Sequence, residues 1–313
     1  MSTKKINLKE KRITIARRII QIIAFFLVNY IILEFIFSIN LKGLESFTKI
    51  MPILNSPRNP LSEGAGMVEY IYYYIIEGVF PFFIIGLLIL ILLFTNRFFC
   101  GWICPIGTIQ DALSKIPKEN KKVKMETHNS LLNLKYVVVI LITIIIVPLG
   151  ITRYTDLIFY FQYKQNLGQM AQKPLGYFSL SEYIFVFLPN LVQDIWESAD
   201  LAPLFSDLLI FVYFAFYLIV IIISMWYPRA YCRYICPFGG VAAAVSDYAF
   251  VKLSRSPVKC VGRKKCGVCE RVCPKQIRIL DEPFEFFTGG GECNMCLKCL
   301  EECPYDAIKI KFS

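Results

Sequence analysis

Cysteine spacing constrains this chain more than any other feature: all twelve cysteines fall into short runs, and none is left over. Cys293, Cys296, Cys299 and Cys303 follow C-x2-C-x2-C-x3-C-P, closed by Pro304. Cys260, Cys266, Cys269 and Cys273 form a looser version in which five residues separate the first pair, closed by Pro274. The remaining four make two copies of C-x3-C-P, at Cys100 and Cys104 and at Cys232 and Cys236. Each copy sits just after a long apolar segment. The x2 spacings wrap the backbone tightly, so that three thiolates reach one cube; this is the ligation of a bacterial-type 4Fe–4S cluster. Zinc is the competing use of grouped thiolates, but the spacing and terminal proline favour iron and sulfur.

Thiolate ligands need a reducing compartment, whereas secreted chains pair their cysteines. All twelve are therefore expected on the cytoplasmic side. Hydrophobic residues make up 56% of the chain, more than an ordinary soluble domain carries. Four apolar stretches suit the roughly 30 Å of a bilayer core: residues 19–39, 79–95, 134–151 and 208–226. The net charge of +10 might suggest nucleic acid, but there is no reading motif, and the cations flank the apolar stretches.

Charge also orients the spans. Residues 1–18 carry seven basic side chains and one acid; residues 97–135 carry seven and three; residues from 227 onward carry fourteen and nine. Between them, 41–77 holds three basic and four acidic residues, and 152–207 three and six. Basic and acidic segments alternate as four spans in the cell membrane require, with both termini on the cytoplasmic side. Residues 1–18 lack a signal-peptide cleavage pattern and read as a basic cytoplasmic arm. In the long outer loop, the aromatic stretch 177–196 is expected to lie flat at the interface rather than to cross.

Residues 97–114, RFFCGWICPIGTIQDALS, match residues 229–246, RAYCRYICPFGGVAAAVS. Arg97 aligns with Arg229, Gly107 with Gly239, and both cysteines, the proline and the final serine also coincide at an offset of 132. Two spans plus one cysteine motif thus form a repeating unit, and the two units are expected to be parallel repeats about an axis along the membrane normal. Each motif offers two thiols on one helical face. Two thiols do not complete a cube, but four from facing repeats do. The expectation is one shared membrane-edge cluster on Cys100, Cys104, Cys232 and Cys236, cuboidal rather than 2Fe–2S. Redox-active thiols or a copper site are the competing readings.

In two-cluster ferredoxins the fourth cysteine of each run crosses to the neighbouring cluster. One 4Fe–4S site would then be Cys260, Cys266, Cys269 and Cys303, and the other Cys293, Cys296, Cys299 and Cys273. The long spacing after Cys260 leaves two readings open: an outward bulge over 261–265 that returns Cys260 to the site, or a three-cysteine cluster. His128 is the only histidine, so bis-histidine haem within the chain is excluded, and no C-x2-C-H haem motif occurs. His128 itself reads as an exposed loop residue. Charges in apolar surroundings are where a quinone or proton site would be sought: Glu34 first, then Glu69 and Glu77 beside the tyrosines at 70–74, and Arg153 and Asp156 at the outer edge.

Paired C-x3-C-P motifs after apolar spans, followed by a two-run ferredoxin tail, resemble the NapH/NosR/MauN/CcoG-type polytopic membrane ferredoxins along essentially the whole chain. The resemblance implies electron transfer between the quinone pool and a redox partner, either a cytoplasmic ferredoxin-like protein or an outer-side oxidoreductase subunit. The compact NapH-type quinol dehydrogenase subunit is the nearest form. No flavin-binding outer domain precedes the first span, and only ten residues follow Cys303.

The expected architecture is a basic arm (1–18), an all-α membrane domain of four helices (19–246), a linker (247–258) and an α+β two-cluster ferredoxin domain (259–313). Two other classes of function stand beside the electron-transfer subunit: a copper or thiol reductase acting in enzyme maturation, and a redox-sensing membrane anchor.

Overall fold

The computed structural model describes residues 11–38, 43–53, 66–117, 119–200, 202–205 and 207–312. It is mostly helical, with one two-stranded sheet near the C-terminus. Two helical stretches are long and apolar enough to cross a membrane, Met125–Thr155 and Leu208–Trp226. Only 17% of the second stretch is buried. Leu208, Leu209, Val212 and Ile219 face outward, as does Ile144 on the first. Such a surface would be an aggregation liability in water and suits lipid.

The other two expected spans differ from the sequence reading. Helix Arg12–Val28 is followed, after a break at Asn29, by helix Tyr30–Phe37. The break occurs where the Asn29 side chain donates to the Phe25 carbonyl, an alternative to the helical ladder. The first helix begins inside the expected arm, and Arg17 is completely buried. Helix Phe82–Thr95 has fourteen residues. At 1.5 Å per residue it reaches about 21 Å, short of the full hydrocarbon thickness.

Residues 177–196 are not one flat helix. A 3-10 turn at Gly176–Phe178 and a wide helical turn at Tyr183–Phe187 precede helix Leu188–Ser198. The first half packs deep into the bundle. Tyr217 donates to the Tyr177 carbonyl at 2.8 Å, and Tyr231, next to Cys232, donates to the Phe178 carbonyl at 2.7 Å. Only the second half has the exposed apolar residues of an interfacial helix, such as Val192 and Trp196. Tyrosines in an apolar setting need a partner for each hydroxyl, and the backbone of this segment supplies it.

The expected linker is part of the folded C-terminal unit. Its residues Val251–Arg255 form β1, antiparallel to β2 (Ile308–Phe312), with Leu253 opposite Ile310. Leu253, Ile279, Phe287, Met295 and Ile308 make a small core together with Cys269, Cys293 and Cys299. Pairing the segment just before the first cysteine run with the one just after the second closes this unit around its cysteines.

Candidate iron–sulfur centres

The two C-terminal cysteine runs are built alike. Gly267 follows Cys266 and Leu297 follows Cys296, both with positive φ (62° and 58°), and each starts a short helix, Val268–Val272 or Lys298–Glu301. Gln276 and Asp306, three residues beyond the last cysteine of each run, also have positive φ. Left-handed residues of this kind turn successive amides toward one concavity, which suits an anionic cluster.

Two cavities result. One is lined by Cys260, Cys266, Cys269 and Cys303; the other by Cys273, Cys293, Cys296 and Cys299. The two are alike in size, as two copies of one group would need. The extra residues after Cys260 form a one-turn helix, Gly262–Lys265, and Cys260 lines the first cavity beside Arg255, whose Nη1 lies 3.7 Å from its sulfur.

The surroundings fit a cluster at each cavity. Among the described residues, no three Cys, His, Asp or Glu side chains converge closely enough for a single metal ion. Asn294 is among the residues lining the second cavity, and among the described residues its buried Nδ2 has no hydrogen-bond partner. Burial, reinforced by Cys296, pushes the Cys293 thiol up to about 12, and burial takes Cys269 to about 11. Uncharged thiols are favoured until a metal displaces the proton.

The membrane-edge thiols are brought together from residues 132 apart. Helices Phe98–Trp102 and Ala230–Tyr234 carry Cys100 and Cys232; Cys104 and Cys236 cap the helices that begin at Pro105 and Pro237. Burial raises the Cys104 thiol, with Cys232, Cys100 and Cys236 adding to the effect, and burial and Cys232 take Cys236 up to about 12. The four are thus electrostatic neighbours. Gln110 Nε2 donates to the Cys232 sulfur at 3.0 Å, from one segment to the other.

The matched arginines exchange places. Arg229 Nη1 donates to the Cys100 carbonyl at 2.9 Å, and its guanidinium lies against Gly107 of the first segment. Arg97 lies against Gly239 of the second, where a β-carbon would come within 3.2 Å of its guanidinium. Each cation therefore sits on the glycine of the other repeat.

Their counterions come from different places. Arg229 donates from Nε and Nη2 to Asp111, both at 2.8 Å, and Arg17 and Arg18 also approach this carboxylate. Burial alone would push the Asp111 carboxyl up, but Arg229, with Arg17 and Arg18, overrides this and holds it well below the usual range. Arg97 bonds Glu292 at 3.1 Å, and Lys135 and Lys275 pair with the same carboxylate.

The C-terminal unit docks directly on the membrane-edge motifs. Trp102 Nε1 donates to the Met295 carbonyl at 2.8 Å, and Lys275 Nζ to the Cys232 carbonyl at 3.0 Å. Arg17 approaches the Cys296 carbonyl at 3.5 Å. A β-carbon on Gly101 would stand 2.2 Å from the Asn294 carbonyl oxygen, so only glycine permits this approach. The cavity with Cys273 and Cys296 therefore lies next to the membrane-edge thiols, and the cavity with Cys260 lies beyond it.

Other candidates fare differently. His128 is 4% exposed, on helix Met125–Leu132, with Nδ1 2.9 Å from the Tyr234 hydroxyl and 3.0 Å from Arg233. The expectation of an exposed loop residue is corrected: the ring packs on the second motif helix. Glu77 pairs with Arg153 at 2.8 Å and with Lys164 at 2.5 Å, a satisfied group. Asp156 caps the following helix through Ile158 and Phe159. Glu34, on helix Tyr30–Phe37, is half-buried. Glu69 is 1% exposed; one oxygen accepts from the Leu175 amide and the other has no partner. Sequence reasoning passed over Asp111, Lys135, Lys275 and Glu292, whose partners lie far away along the chain.

A family profile described as a 4Fe-4S binding domain matches twice, at residues 77–124 and 209–257, starting 132 residues apart. Each match contains one C-x3-C-P motif. An uncharacterized protein of Methanocaldococcus jannaschii is 27% identical over 232 residues, covering 72% of this chain and 76% of that protein. Regulatory protein NosR of Stutzerimonas stutzeri is 24% identical over 214 residues, 67% of this chain but 24% of its own length. Ferredoxin-type protein NapH of Escherichia coli is 21% identical over 220 residues, 69% of this chain and 62% of its own. No solved structure matches.

Proposed function

We propose, from its two 4Fe-4S binding matches and its likeness to the NapH/NosR-type membrane ferredoxins, that this iron–sulfur electron-transport protein forms a three-centre relay from the membrane interior to the cytoplasm. A 4Fe–4S cluster, when bound, accepts and gives up one electron at a time. Cys100, Cys104, Cys232 and Cys236 would hold the membrane-edge centre, Cys273, Cys293, Cys296 and Cys299 the middle one, and Cys260, Cys266, Cys269 and Cys303 the outermost. The observation that carries the reading is the direct seating of the Cys293–Cys296 loop on the Phe98–Trp102 helix through Trp102 and Gly101. The chain's own residues exclude water there, fix the spacing of the thiols and surround them with Arg97, Arg229 and Lys275, which offset thiolate charge. The proposed topology is four spans in the cell membrane, in two parallel repeats, with both termini and all twelve cysteines cytoplasmic.

Serine at Cys100 and, separately, at Cys232 tests the shared centre. Each variant should lose the same share of iron and acid-labile sulfide, about a third, together with one electron paramagnetic resonance signal. Full iron content in both would sink it.

A quinol is the proposed partner on the membrane side. Glu34 is the carboxylate that hydropathy favours, but Glu69 has the stronger structural support for taking a proton: it is fully buried, has an unpartnered oxygen, and contacts the same inward segment that Tyr231 holds beside Cys232. In lipid discs, quinol should reduce the clusters more slowly in Glu69→Gln than in Glu34→Gln. Equal rates in both variants and the unaltered protein would remove both residues from the reaction.

A further inference from the structure

On the cytoplasmic side a solvent-open cleft runs between the Arg12–Val28 helix, residues 114–115 and 120–122, and the C-terminal unit. Eight of its lining side chains are basic and two are acidic. The two acids are already engaged, Asp111 by three arginines and Glu302 by Lys11. Lys115, Lys121, Lys122 and Arg271 are exposed around the mouth, with Arg233 and Lys298 deeper. Arg18 holds the Lys115 ammonium below its ordinary range, with burial adding to it, a sign of unrelieved positive potential. Cys273 and Pro274 form part of the wall.

We propose that this cleft is the docking site for a soluble, acidic electron-carrier protein, whose acidic lobe enters between Lys115, Lys121 and Arg271 and brings its redox centre up to Cys273. The proposal rests on the relay reading above. Three features select this occupant. The charge is complementary to an acidic protein and repels a basic one. The cleft is concave, and part of its wall belongs to the C-terminal unit, so a flat bilayer surface does not reach Cys273 whereas a protruding lobe does. Its wall holds a cysteine of the middle centre, which an anion-binding surface of purely electrostatic purpose would not require.

The test uses the full chain with its clusters, in discs of uncharged phosphatidylcholine, and a strongly acidic plant-type ferredoxin as the probe. Affinity is measured at low and high ionic strength, and contacts are mapped by zero-length carbodiimide cross-linking and mass spectrometry. Lys115→Glu with Lys121→Glu should weaken binding at least about tenfold at low salt and flatten its salt dependence. Lys309→Glu with Lys311→Glu, the same charge change on the exposed outer part of β2, should leave it nearly unchanged. Cross-links from Lys115 or Lys121 to the probe are expected. Equal losses in both double variants, absent binding by the unaltered protein, or cross-links confined to other faces would overturn the proposal. So would loss of co-purifying phosphatidylglycerol in the cleft variant with probe affinity intact, which would assign the cleft to lipid headgroups. Iron content and cluster spectra report on the relay separately, so a failure of docking with intact clusters leaves that reading standing.

Discussion

Residues 97–114 and 229–246 share cysteines, proline, glycine and arginine, yet they balance their buried arginines differently. In the first segment, position 111 is an aspartate that holds Arg229 of the second. The matching position in the second segment is Ala243, which offers Arg97 nothing. In its place, the C-terminal unit inserts Gly291 and Glu292. Gly291 lies so close that a β-carbon would sit 2.0 Å from the Ala243 carbonyl oxygen, and Glu292 takes Arg97, Lys135 and Lys275. One half of the membrane-edge site is thus neutralised from within the duplicated unit, and the other half by the domain that docks on it. The two segments carry matched cations but only one carries its own carboxylate, so docking supplies the second.

The comparison breaks most sharply at Asp111. Asp111→Asn strands Arg17, Arg18 and Arg229 in a buried setting and should cost about 3–5 kcal/mol, read as a lower unfolding temperature in detergent and loss of iron. The Asp111 pKa is depressed in the folded state, so its contribution is fully present above the ordinary carboxylate pKa of about 4 and is lost only as pH falls through the folded value. The deficit of the variant should therefore be flat from about pH 5 to pH 8. A deficit that grows or vanishes within that window would contradict the pairing.

Glu292→Gln should cost somewhat less, about 2–3 kcal/mol, because a neutral amide still accepts hydrogen bonds. Its distinctive sign is protease sensitivity of the C-terminal unit rather than loss of the helical bundle. Adding Ala243→Asp to Glu292→Gln restores a carboxylate at the repeat position and should recover part of the loss. No recovery would mean that position 243 does not reach Arg97.

Gly291→Ala probes the contact without touching charge. Its φ is +74° and its neighbour is backbone, so strain and overlap should cost about 1–3 kcal/mol. The smallest effect is expected at Lys309→Ala, exposed on the outer face of β2, within about 0.5 kcal/mol of unaltered stability.

The cysteine runs were legible beforehand because ligand spacing is local. The x2 spacings place thiols by the covalent geometry of a few residues, and the cavity linings follow the crossing pattern of two such runs. The Met125–Thr155 and Leu208–Trp226 helices were legible for a similar reason, since hydropathy sums along the chain. The rest was hidden where partners are distant. Asp111 and Arg229 are 118 residues apart, and Arg97 and Glu292 are 195. No periodicity links such pairs. The inward course of 176–187 was missed because aromatic residues suit both an interface and a tyrosine-lined interior, and only the hydroxyl acceptors decide between them.

The sequence by itself determined the donor chemistry: twelve thiols in runs that set a cluster's local loops, a duplicated motif, and apolar stretches for a bilayer. Only the tertiary structure decided that Gln110 of one segment reaches the Cys232 sulfur of the other. It also decided which carboxylate answers each buried arginine, and that the C-terminal unit seats itself on the two C-x3-C-P segments. The reason is physical. Ligand spacing is a property of neighbouring residues, whereas desolvating a charge forces it to find a counterion wherever the fold brings one.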